Sequence, residues 1–146
     1  MKKLPCFLGL AAVAFVLAGC VGPSGPAYSS VKDTLPPLKE ATARLFIYRP
    51  DLIGSVVVPA VKIDGTEAGQ AVPHGFFYVD LPAGKYEVST GWHDEEIIHV
   101  RLAAGQVRYV RLKFTPSPFG LYLDPSIVDD QTGQSEIADC GWAKRW

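Results

Sequence analysis

Residues 97–114 read IIHVRLAAGQVRYVRLKF, and this stretch decides the fold class. On both sides of the central Ala-Ala-Gly-Gln segment, apolar and polar side chains alternate with the two-residue period of a strand that buries one face. A helix would need apolar residues three and four positions apart. The stretch therefore predicts two β-strands, Ile97–Leu102 and Val107–Phe114, joined by a tight loop.

The charges of this predicted hairpin favour one register over another. A two-residue turn would place Arg101 opposite Arg108, and like charges directly across a strand pair are unfavourable. A three-residue loop with a bulge instead pairs Val100 with Val110 on the core face and sets Arg101 beside Tyr109 on the solvated face. We therefore expect the second register.

Five further short apolar segments precede this pair and are separated by turn residues. They are Leu45–Tyr48, Val56–Ile63, Glu67–Val72, Phe76–Leu81 and Lys85–Thr90. Pro59 marks the second segment as an edge or bulged strand, and Asp64-Gly65 is typical of a tight hairpin turn. Seven short strands at even spacing predict an all-β fold, a small antiparallel β-sandwich.

The C-terminal part is harder to interpret. Phe119–Leu123 with the apolar pair at 127–128 offers an eighth strand, and Gln134–Asp139 predicts a short helical turn that closes at Gly141. Cys140 has apolar neighbours, so we expect a buried, inert thiol and no covalent dimer. An intermolecular disulfide and a reactive thiol are the alternatives.

Length and charge exclude several classes of protein. The 146 residues leave room for one domain. Fourteen basic and fifteen acidic residues give a net charge of −1, so the chain lacks the excess of positive charge that is typical of nucleic-acid-binding proteins. Fourteen Gly and twelve Pro favour turns over long helices. We expect a monomer that binds no nucleic acid.

The first twenty residues have the pattern of a lipoprotein signal. Two lysines precede the apolar run Leu4–Leu17, which is shorter than the ~20 residues that span a bilayer. The run ends in a motif that resembles the lipobox of bacterial lipoproteins, formed by Leu17, Ala18, Gly19 and Cys20. That resemblance implies cleavage after Gly19 and acylation of Cys20, which with two or more chains gives stable anchoring. A plain signal peptide or an uncleaved anchor is the alternative.

The residues after the lipobox suggest a location and a domain division. Val21 stands where an Asp would resemble an inner-membrane retention signal, so we expect a lipid-anchored envelope protein, in the outer membrane facing the periplasm if the host has two membranes. Gly, Pro and Ser are frequent in the next residues, which favours a flexible tether reaching roughly 25–50 Å. The predicted division is therefore a signal peptide over 1–19, a lipidated Cys and tether over 20–43, and a β-sandwich over 44–146.

The stretch from Ala43 to Leu112 resembles a bacterial family called domain of unknown function 2846, whose members are often lipoproteins. The motifs that carry the resemblance are Ala43–Pro50, Val61–Gly65 with Gly69, Gly75–Phe77, Leu81–Tyr86 and Leu102–Val110. Similar motifs occur in PEGA-like and transthyretin-like modules. The resemblance implies a small β-sandwich and brings no catalytic residues.

Patterns for catalysis and metal binding are weak in this sequence. The segment from His93 to His99 contains Glu95, but its histidines are six apart rather than the four of a helical zinc motif. A deaminase-type site would also need a Cys-x-x-Cys pair, which the chain lacks. We predict a solvated acidic turn, no cofactor and no enzyme; a metal-binding protein or enzyme using His93, Glu95 and His99 is one alternative.

The favoured interpretation is a non-catalytic interaction or structural module, held at the membrane through the lipid on Cys20. Its partner is an envelope protein or a glycan. A second alternative is a glycan or small-ligand binding module that uses exposed aromatic side chains. The candidate binding surface comprises Phe76, Trp92, Arg101, Tyr109 and Arg111.

Overall fold

The computed structural model describes residues 22–91 and 96–143. Within these two ranges the chain forms two short helices and nine strands. In chain order the elements are α1 Tyr28–Val31, β1 Thr42–Arg49, β2 Ala60–Ile63, β3 Thr66–Gln70, β4 Gly75–Pro82, β5 Gly84–Thr90, β6 Glu96–Leu102, β7 Val107–Ser117, β8 Gly120–Val128, α2 Asp130–Ile137 and β9 Gly141–Trp142. A 3₁₀ turn, Lys32–Thr34, follows α1. In this part of the chain, neither helix is long and apolar enough to cross a membrane.

The strands form two sheets that pack face to face. Sheet A has the order β8-β7-β1-β4-β9, and sheet B has the order β3-β2-β5-β6. The predicted all-β sandwich is confirmed. Neighbouring strands are antiparallel except for β1 with β7 and β4 with β9, which are parallel.

The main core lies between the two sheets. Ile47 of β1 and Val110 of β7 face Val88 of β5 and Val100 of β6, and all four are buried. A residue larger than glycine would not fit at position 69 of sheet B, because the ring of Phe77 occupies that space. A Cβ on Gly69 would lie 2.8 Å from a carbon of this ring. The alternation of the strands thus supplies one apolar layer from each sheet.

The predicted hairpin between Ile97–Leu102 and Val107–Phe114 is wrong. Strand β6 pairs with β5, whereas β7 pairs with β1 and β8, so the loop between them crosses from sheet B to sheet A. Gly105 in this loop donates a backbone hydrogen bond to Thr42 at the start of β1 (2.8 Å). Alternation of apolar and polar residues fixes which face of a strand is buried. The same alternation occurs whether the next strand pairs with it in a hairpin or lies in the opposite sheet.

Sheet A is covered on its outer face as well. A second apolar cluster joins β1, β4 and β7 to the N-terminal segment and α2, and comprises Tyr28, Phe46, Tyr48, Phe76, Tyr109, Ile137 and Cys140. Tyr28 meets the rings of Phe46 and Phe76 edge-on, with centroids 5.3 and 5.4 Å away. This third layer explains why residues 43–49 of β1 are buried without interruption.

The flexible tether predicted over 20–43 is wrong for its described part from Gly25 onward. Gly25 donates to the carbonyl of Trp142 (3.0 Å), and Tyr28 donates to that of Cys140 (2.8 Å). A Cβ on Gly25 would lie 2.6 Å from the Cβ of Trp142, and one on Gly141 would lie 2.6 Å from Pro23. The glycines therefore permit close packing here rather than flexibility, and the predicted boundary at 43/44 falls inside β1.

The other predicted strands are confirmed with altered bounds. Residues 56–59 precede β2 in an irregular loop, so the second strand is shorter than predicted. The predicted eighth strand exists as one continuous element, β8, in which Pro125 pairs with Leu112. The predicted helical turn is α2, which begins earlier, where the side chain of Asp129 caps the backbone N–H of Thr132 (2.9 Å).

Candidate interaction surface

The structure corrects the candidate binding surface at two aromatic residues. Phe76 is fully buried and Tyr109 is 3% exposed, because both belong to the second cluster beneath α1 and α2. The sequence indicated correctly that neighbouring residues of β4 point to opposite faces, but it did not indicate that both faces of sheet A are covered. Neither ring is available to a partner in this arrangement.

Arg111 holds α2 against sheet A instead of facing a partner. Its guanidinium donates to the carboxylate of Glu136 (2.9 Å), which also accepts a hydrogen bond from the hydroxyl of Tyr48 (2.6 Å). Burial, and then the hydrogen bond to Glu136, raise the pKa of Tyr48 above its ordinary value. The carboxylate thus fastens the helix to two strands.

Arg101 is the candidate that lies exposed on the outer face of sheet B. It stands directly opposite Lys85, and His99 stands opposite Glu87 with 4.0 Å between the imidazole and carboxylate. Lys85, His99, Val100 and Arg101 line a shallow groove of about 350 Å³. Two like charges across a strand pair repel each other, so this face gains from an anion placed between them.

The predicted metal alternative is only partly covered by the structure. His93 and Glu95 lie outside the described residues, as do Trp92 and the lipobox residues Leu17, Ala18, Gly19 and Cys20. His99 is exposed on β6. Among residues 22–91 and 96–143, no three His, Cys, Asp or Glu side chains are grouped to hold a metal ion.

Cys140 is buried against the second cluster, as the sequence predicted. Burial raises the pKa of its thiol to about 12, with smaller contributions from Asp139 and Glu136. The thiol is therefore protonated at neutral pH and has little nucleophilic character.

An exposed apolar surface that the sequence did not predict lies at one end of the sandwich. Leu52, Ile53, Val56 and Phe119 are 59%, 51%, 88% and 90% exposed, and we call these four residues the apolar corner. The first three lie in the loop after β1, and Phe119 lies at the turn between β7 and β8. Soluble proteins seldom expose large apolar side chains together unless the surface has a function.

The loop after β1 packs at Gly54 against β7 and β8, the two strands that flank the turn. The φ of Gly54 is +66°, and a Cβ there would lie 3.0 Å from the ring of Phe114 and 3.2 Å from Leu121. The sequence held a signal for this surface, since the apolar residues at 52–53 follow the strand-ending Arg-Pro-Asp and fit no strand. The apolar run at 56–58 instead predicts the beginning of the strand Val56–Ile63.

A buried arginine keeps this loop folded. The guanidinium of Arg49 donates to the carbonyls of Val57 (2.9 Å), Ala71 (2.8 Å) and Ile53. It also lies 4.6 Å from the centre of the Phe114 ring. Burial lowers the pKa of Arg49, and the carboxylate of Asp51 opposes that shift. The apolar corner is therefore presented by an organised loop.

Comparison with known proteins places this architecture in a family. A family model described as "Protein of unknown function (DUF2846)" matches residues 39–122. The chain belongs to the DUF2846 family. The resemblance seen in the sequence is thus confirmed, and the match begins just before β1 and ends within β8. It does not reach β9 at the edge of sheet A, nor α1 and α2, which belong to the third layer of this DUF2846 protein.

A solved structure is also similar to the DUF2846 domain. The N-terminal domain of AlgF from P. aeruginosa matches with a TM-score of 0.41 and 20% sequence identity, covering 62% of this chain and 94% of that chain. No curated protein matches the sequence.

Proposed function

We propose that this DUF2846 protein is a lipid-anchored module of the bacterial cell envelope that acts by binding rather than by catalysis. The lipobox-like Leu17, Ala18, Gly19 and Cys20 support the anchor. In a host with two membranes, Val21 favours the outer membrane, with the domain in the periplasm.

The observation that carries the proposal is the attachment of the N-terminal segment to the fold. Residues 25–28 hydrogen-bond to residues 140–142, and Pro23 contacts Gly141. An acylated Cys20 is then separated from folded chain by a single residue, Val21. Such a short connection suits a protein that presents a fixed surface beside the membrane.

The titratable side chains support a binding role over a catalytic one. Glu136 fastens α2, Asp80 binds the guanidinium of Arg44 (2.7 Å), and Arg49 organises a loop. Each of these groups is engaged in holding the fold. For partner binding, the exposed pair of Lys85 and Arg101 favours an acidic or anionic group.

The test of the anchor is a matched pair of cysteine variants of the full chain, expressed in a bacterial host. Cys20→Ala is expected to abolish incorporation of labelled palmitate and to release the protein from the membrane fraction. Cys6→Ala is the control, because Cys6 would leave with the signal peptide, and this variant is expected to be acylated and cleaved normally. Retention of label and membrane association in Cys20→Ala would refute the anchor.

The test of the binding face is charge reversal. Arg101→Glu with Lys85→Glu is expected to abolish rescue of whatever envelope defect the deletion of the gene produces, at unchanged protein level. The control is Lys113→Glu, a similarly exposed cation on β7. Equal rescue by both proteins would show that this face of sheet B has no part in binding.

A further inference from the structure

We propose that the apolar corner enters the surface of the lipid bilayer beside the acylated Cys20, so that the lipid and the corner together orient the domain. This inference rests on the proposed lipid anchor. It assigns the surface of Leu52, Ile53, Val56 and Phe119 to phospholipid, whereas the outer face of sheet B stays free for a partner.

The described part of the chain begins at the same end of the sandwich that carries the apolar corner. Pro23 contacts Gly141, which pairs with Gly75, and Gly75 pairs with Arg49 at the end of β1. The loop containing Leu52 leaves β1 at this point, and β7 runs past it to its turn with β8. From the spacing of strands and residues, the corner and Pro23 are separated by roughly 20 Å.

The length of chain outside the fold keeps this end close to the bilayer. Val21 alone separates Cys20 from Gly22, and three extended residues span at most about 10 Å. A domain attached so closely cannot stand away from the membrane. The end of the sandwich that holds the attachment therefore meets the lipid first.

The chemistry of the corner fits acyl chains better than a protein interface. Its members are three aliphatic side chains and one phenyl ring, which require no hydrogen bonds from their surroundings. Protein interfaces instead concentrate their binding energy in Trp, Tyr and Arg, and Leu and Val are under-represented there. The nearest carboxylate in the loop, that of Asp51, lies 3.7 Å from the guanidinium of Arg49, so the loop brings no uncompensated charge to the lipid.

A second copy is a poor occupant because the corner is small. A stable protein–protein interface buries about 800 Å² and about 20–30 residues on each side, whereas the corner consists of four side chains.

The experiment uses the mature protein extracted from membranes and reconstituted into phosphatidylethanolamine–phosphatidylglycerol vesicles. In a Cys140→Ala background, the environment-sensitive fluorophore NBD is attached at Phe119→Cys or Val56→Cys. Ile97→Cys is the matched control, since Ile97 is an exposed apolar residue on the outer face of sheet B. We expect NBD emission at residues 119 and 56 to rise at least threefold on reconstitution and to be quenched by half with doxyl-labelled lipid, with neither change at residue 97.

Three results would overturn the proposal. If NBD emission at residue 119 keeps the value it has in water, the corner does not enter the bilayer and remains free for a protein partner. Equal quenching at residues 119 and 97 would show no preferred orientation. Self-quenching at residue 119 that disappears on dilution with unlabelled protein would point to a second copy. The intact mass of the same sample reports acylation separately, and a mass without acyl chains would refute the anchor. Such unacylated protein can still be added to the vesicles, where quenching at residue 119 tests the corner by itself.

Discussion

Arg49 places a positive charge inside the sandwich, with only 1% of the residue exposed. Such a charge is tolerated because three backbone carbonyls and a phenyl face surround it. We predict that Arg49→Met destabilises the domain by about 3–5 kcal/mol, since it leaves those carbonyls and Asp51 without their partner. Urea unfolding measures the change.

Two further arginine variants make this prediction specific. Arg49→Lys keeps the charge but lacks the planar donor geometry, so we expect an intermediate loss of stability. Arg101→Met, on the exposed face of sheet B, is expected to change stability by less than about 0.5 kcal/mol. A loss of under about 1 kcal/mol in Arg49→Met would contradict the role assigned to this residue.

Cys140 makes stability depend on pH in the alkaline range. Its pKa rises from 9.0 in the unfolded chain to about 12 in the fold, so folded protein holds the thiol proton more tightly. Unfolding therefore releases a proton between these values, and stability falls as the pH rises from about 9 to 12. Burial also raises the pKa of Tyr48 and Tyr109, which adds to the decline.

The contribution of the thiol is separated by Cys140→Ala. We expect the free energy of unfolding of this variant to fall less steeply above pH 9 than that of the parent, because both tyrosines are retained. Urea unfolding at pH 8, 9, 10 and 11 provides the comparison. Parallel curves for the two proteins would show that the thiol titrates alike in both states.

At the scale of elements, α2 docks through a glycine. A Cβ on Gly133 would lie 2.3 Å from the ring of Tyr109. Helix propensity alone predicts that Gly133→Ala gains about 1 kcal/mol, whereas overpacking costs about 1–3 kcal/mol. We expect packing to dominate and the variant to be destabilised, as measured by its unfolding midpoint. Gln131→Ala, exposed on the same helix, is expected to be neutral, and a stabilised Gly133→Ala would refute the docking geometry.

The N-terminal segment behaves as part of the fold and not as a tether. Tyr28 is buried against Phe46 and Phe76. We predict that Tyr28→Ala lowers stability by about 2–4 kcal/mol, since a large aromatic contact is lost without replacement. Thermal unfolding of this variant is compared with that of Ser29→Ala, whose side chain is exposed. Identical melting of Tyr28→Ala and the parent would restore the tether interpretation.

At the scale of the whole molecule, the position of Cys140 opposes a disulfide-linked dimer. The thiol lies beneath α2 and the N-terminal segment and is closed to a second chain. We predict a single band at the monomer mass when envelope protein is run without reductant and with free thiols blocked beforehand. A band of twice that mass that disappears with reductant would contradict the prediction.

The sequence by itself determined where most of the strands are. Alternation in Lys85–Thr90, Ile97–Leu102 and Val107–Phe114 fixed which side chains face a core, because a strand exposes one face with a period of two residues. Turn residues such as Asp64-Gly65 fixed where neighbouring strands reverse. These are local properties, so they can be read without knowing what packs against them.

Only the tertiary structure decided how those strands are partnered and which surface is left uncovered. Val100 and Val110 satisfy the same alternation whether their strands pair or face each other across the core. Phe76 and Tyr109 are buried because the N-terminal segment and α2 cover the outer face of sheet A. The apolar corner is exposed because nothing in the described chain covers the loop after β1. Burial depends on contacts between residues far apart in sequence, and a local sequence pattern cannot predict those contacts.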